Sequence, residues 1–263
     1  MKKYTDEELN KIIENHQHWL NEDCEGWETM RADLSGSNLS GSNLSGSNLR
    51  GSDLSGSNLR GSDLSGSNLR DSNLRGSDLN GSNLRGSDLR GSDLSGSNLR
   101  YSNLRGSDLS GSNLRGSDLS GSNLRYSNLR GSNLNGGNLN GSDLNGSRYD
   151  ERTSFFALQC PEKGAFIGFK KVNGYIVELE IPAEAKRSSA TTRKCRCEFA
   201  RVLSITNKDG SDSGLTAVHN DNYCGCDYVV GKIVRADEWD DDRWNECSHG
   251  IHFFITRDEA VIY

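Results

Sequence analysis

Leucine recurs at every fifth position from Leu34 to Leu144 without a gap, 23 times in all. Two residues before each leucine stands a tiny residue, Ala32 once, Gly137 once and Ser in every other case. Only Asn or Asp fills the place between. Ser, Arg or Asn follows the leucine, and then nearly always Gly. A period of five fits neither the 3.6 of a helix nor the 2 of a flat strand. A helix would scatter these leucines round its surface, and a strand would alternate them between faces. A chain that turns a corner every five residues points all of them inward. Glycine after each leucine supplies the permissive backbone that such corners need, and the tiny residue fits the narrow space beside each leucine. Leu34, Leu54, Leu74, Leu89, Leu109, Leu129 and Leu144 are therefore expected as inward core positions.

The flanks read differently. Thr5-Asp6-Glu7-Glu8 is a capping box, and Leu9, Ile12, Ile13, Trp19 and Leu20 follow at helical spacing. The pattern predicts an amphipathic helix over 5–21 that lids the first coil with Trp19 and Trp27, since an open solenoid end invites stacking by other chains. A metal role for His16 with Cys24 is the alternative reading of that segment. Tyr149 occupies the leucine slot after Leu144, so the register breaks near 148.

Beyond it the period returns to 2. Ala165–Val172 and Tyr175–Ile181 flank Asn173-Gly174, a two-residue hairpin signal. Cys195–Ile205, Tyr228–Arg235 and Gly250–Thr256 read as further strands, and Thr256-Arg257-Asp258-Glu259 as the cap of a short terminal helix. The predicted organisation is a capping helix and linker over 1–31, a solenoid over 32–147, and a β-rich α+β domain over 148–263.

The repeat resembles the pentapeptide-repeat family, whose motif centres on Ala-Asp/Asn-Leu-x-x. What the resemblance implies is a mainly β fold, a right-handed four-sided β-solenoid with four pentapeptides per coil and a rod on the order of 28 Å long. Here Ser replaces the family's usual Ala. An inward hydroxyl without a partner costs roughly 1–3 kcal/mol, so each Ser Oγ is expected to bond a backbone carbonyl. The segments Ile181-Pro182, Lys186–Ala190, Arg193–Arg196 and Cys247–Phe254 resemble an uncharacterised domain that follows pentapeptide repeats in phage-type and bacterial proteins. That likeness implies domain pairing and a phage or prophage origin, and no activity.

With twenty residues per coil, n and n+20 stack. Arg50, Arg70 and Arg90 then form a column, interrupted by Ser110 and resumed by Arg130, and Arg85, Arg105 and Arg125 form a second. These columns are either a solvated coat or strips that dock an acidic protein partner. Tyr101 and Tyr126 interrupt the glycine positions. Charge narrows the choice. Residues 1–30 carry 3 Lys against 8 acids, residues 31–147 carry 12 Arg against 10 Asp, and the remainder 16 basic against 19 acidic groups. No segment is basic enough to mark a nucleic-acid binder. Some pentapeptide-repeat proteins mimic DNA and modulate type II topoisomerases such as gyrase, which needs an acidic rod; this rod is slightly basic.

Chemistry-bearing residues concentrate at the C-terminal end. Cys195 with Cys197 and Cys224 with Cys226 are Cys-x-Cys pairs, with Cys247, His249 and His252 downstream. Two such pairs would make a four-thiolate zinc site, and Cys247 with His249 or His252 is a nucleophile–base candidate lacking an identifiable orienting acid. Simple thiols without a cofactor are the plainer reading. No run of eighteen apolar residues or secretory leader is evident, so a cytoplasm with reduced thiols is expected, a host's if the chain is phage-encoded. The favoured expectation is a non-enzymatic rod that presents the C-terminal domain for protein binding. The alternatives are a metalloprotein or enzyme within 148–263, and a topoisomerase modulator.

Overall fold

The computed structural model describes residues 1–154, 158–190, 192–220, 226–241, 243 and 248–263. They form two compact units, Met1–Ala157 and Leu158–Tyr263.

The first unit is a β-solenoid behind an N-terminal helix. Parallel bridges join each Asn or Asp to the residue twenty further on, as in Asp33↔Asp53, Asp53↔Asn73 and Asn73↔Asp93. Every strand segment is so short that the ladder is built from single bridges. Leu89 N donates to Asp108 O at 2.7 Å, Gly91 N to Ser110 O at 3.1 Å, and Asp88 N to Ser67 O at 2.9 Å. The leucines from Leu34 to Leu139 are buried, including Leu54, Leu74, Leu89, Leu109 and Leu129. Burial contributes roughly 1.5–3 kcal/mol for each. Leu144 is half-exposed, because the ladder above it thins to Asn128↔Arg148 and Asn133↔Ser154. Ladder bonding runs beyond residue 147, to Ser154 N on Ser132 O.

The tiny-residue serines mostly do what their burial demands. Ser57, Ser77, Ser92 and Ser112 each donate Oγ–H to the leucine carbonyl three residues back, at 2.6–2.7 Å. Ser72 instead reaches Leu49 O in the previous coil, at 2.8 Å. The expectation fails at Ser52, Ser82, Ser122 and Ser127, whose buried hydroxyls have no partner among the described residues. Outside the core, amides of Asn73 and Asn113 donate to Asp53 and Asp93 one coil back, at 3.3 and 3.1 Å.

Helix α1 spans Asp6–Asn21, with the Thr5–Glu8 capping box formed in both directions. Its buried Leu9 and His16 face the rod. Ala32 N–H donates to His16 Nδ1 at 3.1 Å, so Nε2 carries the proton and donates to Arg50 O at 3.0 Å. Both ring nitrogens are used, and burial holds the pKa of His16 below its ordinary value. His16 is thus a structural latch, and the metal role read for it with Cys24 is withdrawn. Trp19 stacks on His16 and covers Gly51, and Asn38 N on Lys2 O extends the cover across the first coil.

The second unit holds, among the described residues, β1 (Phe166–Val172), β2 (Tyr175–Ile181), β3 (Arg187–Ser189), β4 (Cys195–Cys197), β5 (Phe199–Thr206), β6 (Ala217–His219), β7 (Asp227–Val229), β8 (Ile233–Arg235), β9 (Ile251–Phe253) and helix α2 (Arg257–Ile262). One sheet has the order β1-β2-β5-β8, a second β3-β4-β9, and β6 pairs with β7. The β1–β2 hairpin turns through Asn173 and Gly174, both at positive φ, the turn the Asn-Gly pair predicts. Two expected strands are each split. Cys195–Ile205 changes sheet at Glu198, and Tyr228–Arg235 breaks at positive-φ Gly231. Strands β3 and β6 carry too little pattern to be read from sequence. The core gathers Val172, Val177, Leu179, Ile181, Phe199, Val202, Tyr228, Val234, Ile251 and Phe253. No helix among the described residues is long and apolar enough to cross a membrane.

Candidate functional site

At one edge of the solenoid the positions after leucine stack as Arg50, Arg70, Arg90, Ser110 and Arg130, as the twenty-residue spacing requires. A cleft of about 610 Å³ opens there, lined by Arg70, Asp71, Arg90, Ser110, Arg130 and Arg152 among others. Ser110 makes the gap, since a short side chain stands where neighbouring coils carry guanidinium groups. Ser110 Oγ turns away to Asp108 at 2.7 Å.

The charges along this edge are unequally satisfied. Arg90 forms a two-point bond with Asp88, Nε on Oδ1 at 2.8 Å and Nη2 on Oδ2, which holds the Asp88 carboxyl below its usual range. Arg50 and Arg70 share Asp71, at 3.8 and 3.3 Å, and Arg152 meets Asp150 at 3.2 Å. Arg130 has no carboxylate within ion-pair distance among the described residues. Stacked cations at coil spacing repel, and a site of unbalanced positive charge can be relieved by an external anion. Arg50 lies off the cleft, in a hollow of about 340 Å³ with Trp19, Leu20, Trp27 and Asp71.

The second column behaves differently. Arg105 and Arg125 both lie near the Tyr126 ring, each 5.5 Å from its centre. Among the described residues no ring or ion-pair contact involves Arg85. Tyr101, Tyr126 and Asp71 occupy corner positions at φ 56–59°, where glycine stands elsewhere. Each costs about 1 kcal/mol of backbone strain. One coil on, Gly91, Gly121 and Gly146 leave the room: a Cβ there would come within 2.6–2.7 Å of Asp71, Tyr101 and Tyr126 respectively. Asp71 is a third break in the glycine column that the reading of Tyr101 and Tyr126 passes over, whereas Arg152 lies beyond the register break and carries no signal.

In the second unit the described members of the Cys/His set are Cys195, Cys197, Cys226, His249 and His252. Cys195 and Cys197 are both buried in β4. Cys195 pairs with Cys160, a residue that nothing in the pattern singled out, and this hydrogen bond together with burial pushes the Cys195 thiol up. Burial does the same to Cys197, whose Sγ lies 3.8 Å from Ile251 O. Thiols so raised are poor nucleophiles. Cys226 is disulfide-bonded, against the reduced-thiol expectation, and a sulfur so engaged offers no thiolate to zinc. His249 is exposed, with Nε2 3.5 Å from Glu238. Cys224 and Cys247 lie outside the described residues, so neither the four-thiolate arrangement nor the Cys247–His249 pair is placed.

Beside these thiols stands Lys170, whose Nζ donates to His252 O at 3.2 Å and lies 5.9 Å from the Tyr228 ring centre. Burial lowers its pKa to about 8. Below that value the fold carries an enclosed cation; between it and the ordinary lysine value of about 10.4 the unfolded chain holds a proton the folded one lacks, so stability rises with pH across this window. Lys170→Met is expected to stabilise the unit by about 2 kcal/mol at pH 7, a gain that disappears near pH 10.5. Urea unfolding at the two pH values measures it.

The model of the pentapeptide repeats, in 8 copies, matches residues 30–66, 67–106 and 112–148. That of a family of unknown function, DUF5758, matches residues 156–260. No curated protein matches the chain. Among solved structures, the pentapeptide repeat protein Rfr23 from the cyanobacterium Cyanothece 51142 is 29% identical, over 51% of this chain and 97% of its own, with a TM-score of 0.31. The pentapeptide repeat protein alr5209 from Nostoc Pcc 7120 is 27% identical, over 52% of this chain and 93% of its own, with a TM-score of 0.25.

Proposed function

We infer, from the premise that this chain is a pentapeptide-repeat protein carrying a C-terminal domain of the DUF5758 family, that it is a non-enzymatic scaffold whose arginine edge docks an acidic protein. Proteins built on this repeat are generally structural or interaction scaffolds. The repeat is read as right-handed, with four corners to each twenty-residue coil, so that every fourth repeat returns to the same edge. The observation that carries the reading is Arg130, without a carboxylate among the described residues, facing a cleft shared with Arg70, Arg90 and Arg152. Guanidinium forks hold carboxylates at two points, and the gap at Ser110 gives one the room to enter between coils. A rod stiffened by a continuous ladder presents such groups without paying to order them.

Fluorescence anisotropy with a labelled poly-aspartate peptide tests this. Binding is expected at low salt and should weaken steeply between about 50 and 500 mM salt, because the contacts are exposed and screened. Arg90→Glu combined with Arg130→Glu should weaken it by roughly tenfold or more, with the melting curve little changed. The control pair Arg60→Glu and Arg75→Glu reverses the same number of charges on other columns. Equal weakening by the control would leave only unspecific attraction and sink the assignment of the edge.

A further inference from the structure

Helix α1 ends at Asn21, and Glu22 closes it in a left-handed conformation, with its N–H on His18 O. That reversal folds the next residues back beside the last helical turn. A ring nitrogen of His18, a carboxylate oxygen of Asp23 and the sulfur of Cys24 come within 4.8 Å of one another. His18 Nδ1 lies 2.7 Å from Asp23 Oδ1, and Asn21 Nδ2 donates to Asp23 Oδ2 at 3.2 Å. A fourth donor stands behind them, since Cys24 Sγ is 3.7 Å from Met30 Sδ.

We propose that His18, Asp23 and Cys24 form a binding site for a divalent transition metal of the zinc class, with the Met30 thioether beside the fourth position. The cluster shares no residue with the arginine edge or with the cysteines of the second unit. One nitrogen, one oxygen and one thiolate sulfur suit a borderline-soft ion, whereas calcium and magnesium take oxygen ligands. Metal–ligand bonds of about 2.0–2.3 Å in tetrahedral geometry place ligand atoms roughly 3.3–3.8 Å apart. Binding therefore takes rotamer adjustment that opens the His18–Asp23 pair from 2.7 Å and draws in donors now up to 4.8 Å apart, by side chains that are still partly exposed, 47% for His18 and 44% for Asp23.

Two features of the surroundings favour a cation. The site caps a helix C-terminus, the negative end of the helix dipole, and the first thirty residues hold eight acids against three lysines. Asn21 steadies the carboxylate, as outer partners of metal ligands do. On binding, the Cys24 S–H bond breaks as the S–metal bond forms and the proton leaves to solvent; the His18–Asp23 hydrogen bond breaks as well, and the imidazole ligates through its unprotonated ring nitrogen.

Cobalt(II) titration of the full, metal-free chain under mild reduction tests the site, because a thiolate ligand produces a near-ultraviolet charge-transfer band. One equivalent with that band is expected, displaced by zinc. Cys24→Ser should remove the band, and His18→Gln should weaken binding at least roughly tenfold. His249→Gln, in the other Cys/His set, should leave the titration unchanged. All three positions are at least partly exposed, and unchanged melting of the metal-free variants establishes that they fold. A band of full intensity in Cys24→Ser, or cobalt binding without any thiolate band, overturns the proposal.

Discussion

Leu89→Asp is expected to abolish the folded rod, with loss of the β signature in far-ultraviolet circular dichroism at room temperature. Leu89 is fully buried, and its stacking partners one coil away, Leu69 and Leu109, are buried as well. Truncation to Ala alone would cost about 2–5 kcal/mol in lost burial and cavity. A carboxylate adds the cost of an enclosed charge, and no donor is at hand, because the surrounding amides are committed to the ladder: Leu89 N to Asp108 O, Ser92 N to Leu89 O. A solenoid is stabilised by contacts between neighbouring coils, so a break in the middle disconnects the two halves. Leu144→Asp is the matched control. That side chain is already half-exposed, and its substitution should cost about 1 kcal/mol. Similar melting of Leu89→Asp and the parent chain would contradict a core of stacked leucines.

The other large effect is expected in the second unit, at Arg196. It is the bulkiest fully buried side chain among the described residues there, 2% exposed. Its Nη1 donates to Asp240 O at 2.6 Å and to His249 O at 3.0 Å, and its guanidinium lies 4.8 Å from the Trp239 ring centre. These bonds tie the segment around Asp240 and the approach to β9 onto β4. Gly250 allows the approach: a Cβ there would stand 3.3 Å from Arg196 Cβ, at φ 140°. Arg196→Ala leaves a cavity and takes the donor from two carbonyls at once, for about 3–5 kcal/mol. The expected result is a lower urea midpoint, with faster hydrogen exchange at the amides of β9. Arg196→Met, which keeps most of the volume, should recover only the packing part of the loss. If Arg196→Ala left both measurements unchanged, the buried guanidinium would be a bystander.

A charged residue between two cysteines carries no sign of burial in the sequence, so residue order alone does not mark Arg196 as part of the core. Sequence pattern reports which face a residue shares with its neighbours, and it is blind to what another segment lays over that face. In the same way the Cys-x-Cys spacing marks Cys195 and Cys197 as candidate zinc ligands but gives no sign of Cys160, from before the first hairpin, which lies against Cys195. It also read His16 and Cys24 as a pair. Helix α1 points His16 into the rod, and the reversal at Glu22 brings His18 to Cys24 instead.

What the residue order determined alone is periodic. The inward leucines, the corner glycines, the stacked arginine columns and the capped first helix follow from spacing, since each depends on contacts repeated at a constant offset along the chain. Only the tertiary structure decided which serine hydroxyls are satisfied, which arginines lack a carboxylate, and which sulfurs meet. Those depend on distances of a few ångströms between segments far apart in sequence, and a local pattern holds no record of them.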